Sequence, residues 1–192
     1  MFVVDVETGG LDAVVNPLLS IGAIDFNNPD NRFYGVCGAK KTKVVTKEAL
    51  EVNGFTEKEL ANEITVKTLL EQFFDWVRTY SDGDFTIAGE NPSFDRDFIA
   101  YNAKVEGLKN PFGHRTIDMH SLAYADILSH EENVPIEDRK NKLNADIIFK
   151  YLGMPEEPRP HLASNGALWE CEAFYRLILK RSVFKEFEAY PL

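Results

Sequence analysis

Phe2-Val3-Val4-Asp5-Val6-Glu7-Thr8-Gly9-Gly10-Leu11 is the stretch from which the rest of the chain is read. Its opening residues are aromatic and β-branched, and the paired glycines end the run, which is the pattern of a short strand. Strand side chains alternate, so Asp5 and Glu7 point to one side. Two carboxylates therefore converge near the end of an otherwise apolar strand. Burying them unpaired in a central strand is costly. A divalent cation that takes hard oxygen ligands, Mg²⁺ or Mn²⁺, offsets that cost. A solvated strand end explains the same pair without a metal, and the two residues alone leave both readings open.

Outward from this strand, Leu18 to Phe26 is a second apolar run and Arg32 to Cys37 a third, joined by the turn residues Asn27-Asn28-Pro29-Asp30-Asn31. These runs read as a hairpin. Thr56 followed by Glu59 is a capping box. Leu69, Phe73, Trp76 and Tyr80 recur at spacings of 4, 3 and 4, an amphipathic helix. Ser81-Asp82-Gly83 then turns into a strand at Phe85-Thr86-Ile87-Ala88. Asn91 is placed as an N-cap before Pro92, opening a helix with Phe94, Phe98, Tyr101 and Val105. A short strand around Arg115-Thr116-Ile117 follows, and further helices start from Leu143 and from about Gly166. Three strands and then alternating helices and strands imply an α/β fold, a mixed sheet with helices on both faces. With no repeat or linker, residues 1–192 are expected to form a single domain.

The chain carries 21 Lys and Arg against 31 Asp and Glu, a net charge of −10. That excludes wrapping of long duplex by charge neutralisation, but not the handling of a short nucleic-acid end. No apolar run approaches the roughly 20 residues of a membrane helix, so no membrane role is expected. Met1 to Gly10 has no basic segment of the secretory kind. Cys37 and Cys171 make neither a disulfide framework nor a zinc pairing, so the expected location is the reducing cytoplasm.

Two further residues could do chemistry. Asp95 falls in the first turn of its helix, where the helix dipole favours a carboxylate with or without a metal; Glu90 and Asp97 share that explanation. His161 follows Pro158-Arg159-Pro160 and suits a proton acceptor near neutral pH. His114, His120 and His130 read as surface or packing residues. Lys40, Lys41, Lys43 and Lys47, and separately Arg139, Lys140 and Lys142, are basic groups readable as phosphate guides or as solvated loops. Phe33, Tyr34, Phe94 and Phe112 are candidates for base stacking or for core.

Taken together, Asp5-x-Glu7-Thr8-Gly9-Gly10-Leu11, Asn91-x-x-Phe94-Asp95 and the late Pro160-His161 resemble the DEDDh 3′–5′ exonucleases, which include polymerase proofreading subunits, RNase T and oligoribonuclease. Glu48 to Thr56, Arg115 to Asp118 and Leu152-Gly153-Met154-Pro155 extend the resemblance in order along nearly the whole chain. It implies a ribonuclease H-like fold with a five-stranded sheet in the order 3-2-1-4-5. It implies two divalent cations, Mg²⁺ or Mn²⁺, about 3.5–4 Å apart, for in-line phosphoryl displacement. Asp5 and Glu7 would bind metal directly, Asp95 would complete the second metal's surroundings and His161 would deprotonate the attacking water. Thr8 and Gly9 would approach the terminal sugar, Leu11 would wedge against the last base, and Asn91 would fix the Asp95 loop. The implied substrate is the 3′ end of single-stranded DNA or RNA, released as nucleoside monophosphates. Relatives further suggest a homodimer, or a polymerase or other replication partner.

One position departs from the pattern. The family places a metal-binding Asp five residues after the His, and here His161-Leu162-Ala163-Ser164-Asn165-Gly166-Ala167 puts Gly166 there. Three readings follow. In the one preferred from sequence, Gly166 is a substitution that impairs an otherwise intact nuclease, and an Asp returned to that position would restore cleavage. In the second, the chain is a silent module that binds nucleic-acid ends or a partner. In the third, ranked last because metal geometry is demanding, Glu170 substitutes from i+4.

Overall fold

A computed structural model describes residues 1–192 except 41, 81, 82, 131 and 191. Lys41 and the Ser81-Asp82 part of the expected turn lie outside the described residues. The main sheet runs β3-β2-β1-β4-β5, as the resemblance implied. Its strands are β1 (Phe2–Thr8), β2 (Leu18–Asp25), β3 (Arg32–Val36), β4 (Ile87–Gly89) and β5 (Thr116–Asp118). β1, β2 and β3 pair antiparallel, whereas β4 and β5 add in parallel to β1. At the hairpin turn the Asn27 N–H donates to the Asp25 carboxylate at 2.9 Å, an Asx bond that fixes the bend.

The helices are α1 (Lys47–Asn53), α2 (Glu57–Leu60), α3 (Val66–Tyr80), α4 (Ser93–Val105), α5 (Met119–Ser129), α6 (Ala145–Tyr151) and α7 (Ala163–Leu179). The alternation of β1 sorts them onto two cores. Phe2, Val4 and Val6 pack with Leu69, Phe73 and Phe98 of α3 and α4. Val3 packs with Ala123, Ala167, Cys171 and Phe174 on the α5–α6–α7 side. Asp5 and Glu7 share the parity of Val3, so β1 presents both acids toward α7.

α7 comes down on the sheet backbone to backbone. At Gly22, in the middle of β2, a Cβ would lie 2.6 Å from the Ser164 nitrogen and closer still to the Ala163 carbonyl. Any side chain there would lift α7 off the strands.

Several local expectations shift. β4 begins at Ile87 rather than Phe85, and α7 begins at Ala163, which puts Gly166 inside its first turn. Asn91 does not cap α4 with its side chain. It adopts φ +48, Pro92 takes the N-cap position without a side-chain bond, and the Asn91 carbonyl accepts from the Phe94 N–H at 3.0 Å. Asn is among the residues that tolerate this left-handed backbone. Phe112 is core, packed edge-on against Phe2 and beside Phe73. The basic segment at 139–142 turns a small hairpin, β6 (Ile136–Glu137) with β7 (Lys140–Asn141), and Lys142 pairs with Glu137 at 2.9 Å. Lys43 donates to the Ala13 carbonyl at 2.9 Å and lies over the Tyr101 ring, so it fastens the β1–β2 loop to α4. Lys40 pairs with Glu106. Cys37 and Cys171 are buried free thiols, and among the described residues no helix is long and apolar enough to cross a membrane.

The back of α7 holds a fully buried ion pair. Arg176 Nε donates to Glu172 Oε1 at 2.7 Å, and its other nitrogens reach the carbonyls of Leu152 and Tyr190. Glu172 Oε2 accepts from the N–H groups of Val183 and Phe184. One charge pair thus ties α7, the end of α6 and the C-terminal segment. Arg176→Met strands the Glu172 carboxylate and is expected to cost about 3–5 kcal/mol, read as a lowered midpoint in urea unfolding.

Candidate active site

The site grows from a place where sheet pairing runs out. Parallel pairing of β1 with β4 ends at Val3 opposite Ala88. Further along that edge, the Val6 N–H donates instead to Asp95 Oδ1 at 3.0 Å. Asp95 is thereby held at the N-terminus of α4, 5% exposed, against the strand that carries Asp5 and Glu7. At this bend the Asn91 N–H donates to Asp118 Oδ1 at 3.3 Å and its side chain accepts from Ser93 Oγ.

His161 arrives from the α6–α7 loop. Its N–H donates to the Val52 carbonyl at the end of α1 at 2.9 Å. Gly54, which ends α1 at φ +70, leaves the space that Pro160 fills; a Cβ there would lie 2.7 Å from the proline ring. His161 Nδ1 stands 3.4 Å from Glu157 Oε2. Burial holds the imidazole below the ordinary histidine value, with the Arg159 charge adding to it.

A cleft of about 490 Å³ opens beside these groups, lined by Glu7, Thr8, Leu11, Val52, Asn53 and Phe94 among others. Leu11 stands 88% exposed at its edge. Gly9, whose backbone the resemblance brings near the terminal sugar, is packed against Pro17, which occupies the space of its missing side chain, and its carbonyl accepts from the Thr46 N–H at 2.8 Å. Of the stacking candidates, Phe94 lines the cleft, Phe33 packs against Phe73 and Tyr34 is partly exposed on β3.

Other acids join: Glu157, which sequence reasoning passed over, and Glu90 and Glu170, which it ranked low. The Glu157 side chain is only 9% exposed, and its Oε1 has no partner. Burial pushes its carboxyl up to about 7, with the Asp146 charge adding. Glu90, read as a helix-start acid, is raised by burial and by Asp118. Glu170 is 7% exposed, takes a hydrogen bond from the Glu90 backbone and leaves Oε2 unpartnered. Its charge bears on Asp5 and Asp95. An acid at the fourth position of a helix repeat was the only signal available, and a surface acid carries the same one.

Gly166 lies directly against Asp5. A Cβ at 166 would come 2.7 Å from Asp5 Cγ and nearer to Oδ2. The Asp5 carboxylate thus takes the space in which any side chain at this position would begin.

These acids resist ionisation together. Burial first, then the Asp95 and Glu157 charges, raise Asp5 well above the carboxylate range. Burial and Asp5 push Glu7 up to about 9, and burial pushes Asp95 up to about 8 against the Val6 hydrogen bond. Acidic oxygens that repel one another out of water, two of them unpartnered, are a donor set suited to a hard divalent cation. The chemistry of Asp5, Glu7 and Asp95 fits that role. Among the described residues no three such side chains are already gathered around one metal position.

The sign of the pH dependence follows. Carboxyls whose folded pKa is raised bind more protons folded than unfolded, so their contribution is full below the ordinary value near 4 and is lost as pH rises toward 8–9. In EDTA the melting temperature is expected to fall from pH 5 to pH 9. Saturating Mn²⁺ is expected to flatten or reverse that slope in the same melts.

The chain matches the exonuclease family RNase_T over residues 2–164. The 3′-5′ DNA exonuclease Cap18 of Escherichia coli is 30% identical over 189 residues, which cover 96% of this chain and 94% of that protein. The PolC-type DNA polymerase III of Halalkalibacterium halodurans is 29% identical over 136 residues, 68% of this chain but only 9% of the polymerase. Among solved structures, the nuclease domain of 3′hExo, a DEDDh family member bound to rAMP, superposes with TM-score 0.71 at 16% identity, covering 96% of both chains. E. coli Exonuclease I with an oligonucleotide gives TM-score 0.71 at 16% identity over 94% of this chain and 40% of that one. At such identities the superpositions establish the fold, while the family match and the relative matched over nearly its full length establish membership. The chain belongs to the RNase_T exonuclease family.

Proposed function

We propose that this chain is a metal-dependent hydrolase of phosphodiester bonds at the 3′ ends of single-stranded nucleic acid, DNA foremost, releasing nucleoside monophosphates one at a time. The observation that carries this reading is the cluster of Asp5, Glu7 and Asp95, to which Glu157 joins His161, with Glu7 on the wall of a cleft of about 490 Å³, within the range of small-ligand pockets. The DNA preference is drawn from the name of the relative matched along nearly its whole length.

Asp5, Glu7 and Asp95 would hold Mg²⁺ or Mn²⁺. Bound there, the divalent cations supply Lewis-acid stabilisation of the charge that builds on the attacked phosphate and the leaving oxygen. The chain's own groups do the rest. His161, neutral because its pKa is depressed, accepts a proton from the attacking water. Glu157, beside Nδ1, fixes the tautomer that leaves Nε2 basic. The exposed Leu11 and Phe94 bracket the terminal base, and Thr8 faces its sugar.

Gly166 favours one rival, a module that holds 3′ ends without cutting them, because glycine brings no oxygen to the family's fourth ligand position. The two readings part on a 5′-labelled oligo-dT and an oligo-rU incubated with Mg²⁺ or Mn²⁺. Stepwise shortening from the 3′ end is expected, fastest on DNA. Asp5→Asn is expected to slow it about 10³-fold, and His161→Asn about 10²–10⁴-fold. Binding of both oligomers with no shortening at any metal concentration would give the case to the silent module.

Glu157→Gln supplies a second check on the base. With its partner charge removed, kcat is expected to fall roughly tenfold, about 1.4 kcal/mol, with KM nearly unchanged. In the parent protein the acidic limb of the kcat profile is expected below the ordinary histidine value of about 6.5, since activity is lost only as pH falls through the depressed His161 pKa.

A further inference from the structure

We infer that Glu170 supplies the carboxylate that the family motif places at position 166, carried by α7 from one turn further along. The inference rests on the metal-dependent reading above and names a ligand which that reading does not require.

Geometry brings the two positions together. Residues four apart share a helix face, and helical side chains lean back toward the N-terminus. A Glu at 170 therefore leans toward the turn of Gly166, and its extra methylene extends the reach. The structure shows that lean. Glu170 is 7% exposed, and the charges that act on it most strongly are those of Asp5 and Asp95, followed by Glu90. Among the described residues no cation pairs with it. One oxygen is served by the Glu90 backbone, while Oε2 is buried and unpartnered. A buried acceptor left unpaired is expensive, and one aimed among other acids is placed for a cation rather than for packing.

Two glycines are cut to this arrangement. A Cβ at Gly89, at the end of β4, would lie 3.0 Å from Glu170 Oε2, tighter than side chains normally pack, so glycine gives that oxygen its room. On α7 itself, Gly166 admits the Asp5 carboxylate to the helix surface, and an aspartate in its place would meet Asp5 sterically and as a like charge. The absent aspartate and the buried Glu170 are thus one arrangement: Asp5 occupies the space where a side chain at 166 would begin, and the acid of α7 enters a turn later.

The test uses the full chain and reads Mn²⁺ binding from the electron paramagnetic resonance signal of the free ion, beside melting curves in EDTA and oligo-dT shortening. Glu170→Gln is isosteric, so its metal-free melting temperature is expected to stay at or above the parent's, while Mn²⁺ affinity falls roughly 10–100-fold and shortening slows with it. Glu170→Asp keeps the charge but withdraws it by a methylene; it is expected to weaken Mn²⁺ too, and serves if the amide variant does not fold. Gly166→Asp is expected neither to tighten Mn²⁺ nor to speed shortening. If folded Glu170→Gln binds Mn²⁺ as the parent does, or if Gly166→Asp rescues an inert parent, the inference is overturned while the exonuclease reading stands. A parent that neither binds Mn²⁺ nor shortens any oligomer overturns both.

Discussion

The organising constraint of this molecule is the close seating of α7 on β1 and β2. A helix laid at backbone distance over a strand excludes water from whatever the strand presents to it. Here the strand presents Asp5 and Glu7. Carboxylates in a dry seam cost free energy unless something compensates, and Asp95 and Glu170 add to the charge instead of relieving it. Much else in the fold is arranged to permit that seam. Gly22 lets the helix down, Gly166 and Gly89 make room for acids, and the buried Glu172–Arg176 pair anchors the helix from behind. Stability elsewhere in the protein holds together a centre that would not assemble on its own merits.

The approach to that centre is built from backbone more than from side chains. Thr46 bonds to Gly9, Asn53 to the Thr8 carbonyl at 3.3 Å, and His161 to Val52. α1 is therefore a bracket that fixes the end of β1 on one side and the histidine loop on the other. Lys43, which from sequence could be taken for a phosphate guide, clamps the loop that carries Leu11. The cleft is consequently bordered by segments tied to one another, so a nucleotide entering it meets a preformed wall.

How much of this was legible in the sequence depends on the range of the signal. Alternation along Phe2–Thr8 foretold which residues face together, and the capping box at Thr56 and the period of α3 are local facts that the structure keeps. Asp5, Glu7, Asp95 and His161 were visible through motif spacing. Glu157 was not, and Glu170 was visible only as the last-ranked alternative at i+4, because the feature that singles both out is burial. An acid in a loop or on a helix reads as solvated until the register of α7 against the sheet is known. Phe112 was ambiguous for the mirror reason, an aromatic whose use depends on what packs over it. α1 and the β6–β7 hairpin were too short for periodicity, and the Asp138-Arg139 turn lacks the glycine that would have announced it.

The register of α7 bears also on how such chains are sorted. Four residues advance a helix by about 6 Å and return to nearly the same bearing. Positions 166 and 170 are therefore neighbours on one face while standing in different columns of any comparison by sequence. A count of motif acids taken column by column finds three in this chain, yet α7 turns a further carboxylate onto the same strand. Sorting by column counts that carboxylate as missing; sorting by which side chains α7 buries against the strand counts it as present.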